Sequence, residues 1–189
     1  MSSTDNLESR PRPARPPDLW RAWERTTDYV AHHIKQNAVL GLAWNSRGVD
    51  APWMAQFVWA GRLERVTRRA SAGQALLDLW QQIDATAKIF QNAAEARRAP
   101  QGYPPDQWFT ATEAELLAQL IALPGAYRQP TATLLIFYHA LAEPGSRPQA
   151  RLLGHEAALT VGAHGTTLQE ACQALYAQAA QRLAEFAPE

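Results

Sequence analysis

Two helices of this chain open on the same signal and carry the same apolar stripe 96 residues apart. Ser71 and Gln74 make a capping-box pair at the head of the first, and Thr167 and Glu170 make one at the head of the second. Behind these caps, Leu76, Leu79, Trp80, Ile83, Ala87 and Phe90 fall on Cys172, Leu175, Tyr176, Ala179, Leu183 and Phe186. Each set recurs at helical spacing, so each marks a face that must be buried. Periodicity alone lets any two amphipathic helices slide into phase. It does not explain why the extended runs before them also align, with Trp44 on Tyr138 at an offset of 94. The chain is therefore expected to be an internal duplication.

The expected order is α-β-β-α, a linker, and α-β-β-α again. This makes an α+β chain of antiparallel hairpins packed against amphipathic helices. Asp18 can cap a first helix whose Leu19, Trp23, Val30 and Ile34 lie near one face and which ends near Asn37. A short strand covers Val39 to Trp44, and the turn residues Asn45, Ser46 and Gly48 bound it. Trp53 to about Arg69 reads as one further extended run, and a helix follows from Ser71 to about Ala96. Pro100, Gly102, Pro104 and Pro105 mark residues 97–109 as the linker between halves 18–96 and 110–189 of one compact domain. Thr110 and Glu113 form another capping box, opening a helix that Pro124 and Gly125 should end. Thr131 to Leu141 is apolar on both sides, as a strand buried on both faces would be. After a turn at 143–148, Arg151 to Ala163 reads as the last strand, and the final helix runs to about Phe186. Residues 1–17 end in RPRPARPP, and their prolines preclude a helix, so an arm without a fixed fold is expected there.

Composition narrows the function classes. Eighteen basic residues balance eighteen acidic ones, so no global field draws the chain onto a polyanion. The balance is uneven along the chain, at +4 over residues 1–69 and −4 over 70–189. One cysteine, Cys172, excludes an internal disulfide and a thiolate zinc cluster, and it lies within an apolar helical stripe. There is no apolar leader and no membrane-length apolar run, so a cytoplasmic protein is expected.

No motif specifies a reaction. His32 and His33 are adjacent and diverge by about 100° on a helix, while His139, His155 and His164 lack a metal-ligand spacing. GAHGTT at 162–167 joins a strand to a helix but has neither dinucleotide-loop spacing nor the phosphate-loop lysine. No catalytic residue, cofactor or metal is expected. The suggestive surface is the first hairpin, with Trp44, Arg47, Trp53, Trp59, Arg62, Arg65, Arg68 and Arg69. Aromatics interleaved with arginines can stack bases and contact phosphates. Strand alternation divides them, however: Arg62 and Arg68 share one face and Arg65 and Arg69 the other, unless a bulge intervenes. Seven tryptophans also exceed what such a core usually needs, which favours an interface. The expected function is therefore non-enzymatic binding or assembly, through a protein partner or a second copy. Single-stranded nucleic acid is the alternative, and a dispersed active site a distant third.

Overall fold

The computed structural model describes residues 19–86, 109–126, 131–154 and 160–185. The N-terminal arm, Asp18, most of the linker, His155, Phe90 and Phe186 lie outside the described residues. Among the described residues the fold is α+β, with four α-helices on one side of a six-stranded antiparallel sheet.

Helix α1 (Leu19–His32) buries Leu19, Trp20, Trp23, Val30 and Ala31 along one stripe. Thr26 and Thr27 lie in the same stripe. Their hydroxyls donate to the carbonyls of Ala22 and Trp23 at 2.9 and 2.7 Å, which removes the penalty of burying them. The helix closes through Lys35, at φ 56°, while the Gln36 N–H donates to the Val30 carbonyl at 3.3 Å. This six-to-one bond around a left-handed residue ends the helix short of Asn37.

Strands β1 (Ala38–Asn45), β2 (Trp53–Trp59) and β3 (Arg62–Arg69) form one half of the sheet; β4 (Ala132–His139), β5 (Pro148–Gly154) and β6 (Val161–His164) form the other. The spatial order is β3-β2-β1-β4-β5-β6. Each half is thus α-β-β-β-α rather than α-β-β-α. The run from Trp53 to Arg69 breaks at Ala60 and Gly61, both at positive φ, 49° and 75°. These are the two central positions of a tight hairpin turn of the twist-compatible kind. Alanine is an unusual occupant there, which is why the sequence reads straight through it. The run from Arg151 to Ala163 is likewise two strands, and β5 begins earlier, at Pro148.

Helix α2 (Ala72–Thr86) lies on β2 and β3, and α4 (Leu168–Glu185) lies on β5 and β6. Leu76, Leu79, Cys172 and Leu175 are each fully buried. Helix α3 (Ala111–Ala126) packs mainly on α4 and runs past Pro124, which stands in its last turn instead of stopping it. The three N-caps expected from the capping boxes are made. The hydroxyls of Ser71, Thr110 and Thr167 accept the N–H of Gln74, Glu113 and Glu170 at 3.1, 3.2 and 3.2 Å. Only Glu113 completes the reciprocal box, accepting from the Thr110 N–H at 3.0 Å. Gln74 turns to Asp78 and Glu170 to Thr166.

The β1–β4 ladder maps onto itself if 94 is added on β1 and subtracted on β4. Val39 opposite His139 becomes Asn45 opposite Thr133, and Leu42 opposite Ile136 becomes itself. Strands β2 and β5 correspond at 95, so the two-residue difference between strand and helix offsets is divided between successive loops.

Candidate sheet-face interface

The large buried side chains of the sheet are on the helix side. There Ala38, Leu40, Leu42, Ala55, Phe57, Leu134, Ile136, Ala150 and Leu152 contact the helices. Five tryptophans also go there. Trp23 packs against Phe57 and edge-on to Trp80, with ring centroids 5.1 and 5.0 Å apart, and Trp20, Trp53 and Trp59 are buried as well. The aromatic surplus that suggested an interface is used in this core.

The first-hairpin cluster does not form one surface. Trp53 and Trp59 are 7% and 3% exposed, and Trp44 packs against the core from the same side. On β3 the register slips, so that Ala55 faces Val66 while Trp53 faces Arg69, leaving Thr67 and Arg68 opposite Met54. Arg68 takes φ 58° in this bulge. The bulge puts Arg69 on the helix side, bonded to Asp78 of α2, along with Arg62, which lies 5.6 Å from the Trp59 ring. Arg65, opposite Gln56, points to the other face. Arg47 sits in the β1–β2 turn, where its N–H bonds Asn45 Oδ1 at 2.9 Å.

That other face is the feature the sequence reading overlooked. Strand β4 is buried on one side only: Leu134, Ile136 and Tyr138 point to the helices, while Leu135, Phe137 and His139 are half-buried on a face that no described helix covers. Across it run registered rows. One carries Arg65, Gln56, Gly41, Phe137, Gln149 and His164, a residue from each strand. The next carries Met54, Ala43, Leu135, Arg151 and Gly162. Val58 and Val39 lie beside His139 in a third. The middle is therefore apolar and the flanks cationic.

Two glycines shape it. A Cβ on Gly41 would stand 2.9 Å from Gln56 Cγ, so the glutamine stem lies flat over the sheet centre, and the Arg65 guanidinium donates to its amide oxygen at 3.2 Å. A Cβ on Gly162 would stand 3.3 Å from Arg151 Cγ, so that stem lies across β6. Beside it is a shallow hollow of about 440 Å³ that includes Ser146, Gln149, Arg151 and His164. Burial, and then the Arg151 charge, lower the His139 pKa below 6.5. The signal that could have revealed this face is the polar alternation of Gln149 and Arg151 with Ala150 and Leu152, and of Gln56 with Ala55 and Phe57. It had to be carried across the register to β4.

Other polar groups serve the fold. Tyr138 donates to Asp28 at 3.0 Å, and Arg147 reaches the same carboxylate at 3.5 Å, which ties β4 and its loop to α1. Burial and the Asp28 charge raise the Tyr138 phenol to about 12. Among the described residues, no three His, Cys, Asp or Glu side chains gather as a metal site, and no helix is long and apolar enough to cross a membrane.

Among the described residues, fold and surface together define a two-layer α+β arrangement with one sheet face that no helix covers. Comparison with protein-family models, with curated proteins and with solved structures gives no match.

Proposed function

We propose that the chain is a non-enzymatic binding or assembly protein that meets a protein partner through its helix-free sheet face. The observation that carries this reading is the set of half-buried apolar side chains spread over three rows of that face, Val39, Val58, Met54, Leu135 and Phe137, which lie on the far side of the sheet from the core. A six-stranded face with strands of this length offers roughly 600 Å². That approaches the roughly 800 Å² per partner of an ordinary protein interface. The same reading takes the two α-β-β-β-α halves, related about the Leu42–Ile136 pair, as a fused duplicate whose joined sheet makes one wide platform.

Single-stranded nucleic acid is the second reading, and Arg65, Arg151 and Phe137 on one face favour it. It ranks lower because the first-hairpin tryptophans point to the core and the middle of the face is aliphatic at Val39, Val58, Ala43 and Leu135. The test is a photo-cross-linking residue placed at Phe137, with Gln181 on the exposed side of α4 as control, in the cells that make the protein. Discrete protein adducts from position 137 alone support the reading. Nuclease-sensitive adducts would favour nucleic acid, and equal adducts from both positions would contradict a dedicated face.

A further inference from the structure

Among the described residues, the helix-free face carries no carboxylate. Glu64 is the one acidic residue in the six strands. It stands opposite buried Phe57, on the helix side, where Gln82 of α2 donates to it at 2.7 Å. Against this, Arg65 and Arg151 both stand on the open face, and the whole chain is neutral. The face is thus selectively cationic on a molecule with no net charge to make it so. A second copy laid face to face would set arginine sheets against each other without an acid between them, which costs free energy in a desolvated contact.

Resting on the reading of this face as a protein-docking surface, we infer that its partner is an acidic amphipathic helix: an apolar stripe for the centre, flanked by carboxylates for Arg65 and Arg151. Phosphate could satisfy the arginines but not the aliphatic middle, where Val39, Val58, Ala43 and Leu135 offer nothing to a sugar–phosphate chain. Geometry fits a helix. Arg65 and Arg151 are four strand spacings apart, roughly 19 Å. A helix rises about 1.5 Å per residue, so carboxylates some 12–13 residues apart reach both arginines. Gly41 and the flat Gln56 leave the centre low enough for the stripe to approach.

The test uses the full chain and three labelled peptides of about 18 residues with identical leucine stripes. One carries flanking glutamates at that spacing, one lysines at the same places, and one glutamates with the leucines changed to serine. Binding is followed by anisotropy at low and high salt, with a deoxythymidine oligonucleotide in parallel. The glutamate–leucine peptide should bind at least tenfold tighter than either other peptide, and its advantage over the lysine peptide should shrink once salt screens the pairs. R65E together with R151E should reverse the preference between glutamate and lysine. Equal binding of glutamate and lysine peptides, absence of binding, or tighter binding of the oligonucleotide would each overturn the inference. If the peptides fail while position 137 still cross-links to protein, the docking reading stands with a partner of other chemistry. If both fail, the docking reading falls too.

Discussion

Cys172 is fully buried in the α4 stripe, and burial, followed by the Glu113 charge, pushes its thiol to about 12. The thiolate that reacts is thus withheld at neutral pH. A thiol reagent should modify native protein far more slowly than protein unfolded in denaturant, and fast native labelling would show that α4 opens locally. His139 makes the opposite case on the open face. Its pKa is lowered by burial and then by Arg151, so the folded chain takes up the proton less readily than the unfolded one. Stability from this site is whole above pH 6.5 and declines as the pH falls below it, levelling off beneath the folded pKa. H139Q should flatten the melting-temperature profile from about pH 7.5 to about pH 5; an unchanged slope would assign the acid sensitivity to other groups. The placement of Cys172 was legible in the sequence, because apolar periodicity around a helix fixes which side is buried. That of His139 was not. Alternation fixes which residues share a strand face, but not whether that face is covered.

At the scale of elements, helices were read well and hairpins poorly. Caps are local, and Ser71, Thr110 and Thr167 mark three helix starts without help from tertiary contacts. Strand breaks depend on backbone sign. The β2–β3 turn sets Ala60 at φ 49°, where glycine or asparagine is usual. A60G should therefore stabilise the protein by about 1 kcal/mol in denaturant unfolding, because the left-handed cost of a Cβ is removed. A loss of stability would mean the alanine methyl has a contact that outweighs the strain. The β3 bulge was equally hidden, yet it decides which arginines are available: without it Arg69 would join Arg65 rather than Asp78. Leu79 and Leu175, fully buried under their own hairpins, test the helix assignments. Either residue changed to alanine should cost about 2–5 kcal/mol, since a cavity follows the lost contact. A near-neutral result would place the helix faces wrongly.

For the molecule as a whole, both halves place their helices on one side, and this leaves a wide sheet face behind. The duplication expected from matched offsets is consistent with the β1–β4 register, in which the pairing closes on itself at Leu42 and Ile136. The candidate surface was less legible, because the sequence displays arginines and tryptophans without saying which way the register turns them. Once the first-hairpin tryptophans are assigned to the core, the binding reading passes to side chains that look unremarkable along the chain: Leu135, Phe137, Arg151. Its central claim is that these apolar groups are left for a partner and are not part of the fold's own core. Denaturant unfolding of the isolated chain carrying both L135S and F137S puts this directly. If the face is left open, the double variant should unfold within about 1 kcal/mol of the parent, as surface substitutions do. A loss of about 4 kcal/mol or more, on the scale of two core truncations, would show that the chain itself covers this face and that no docking surface exists there.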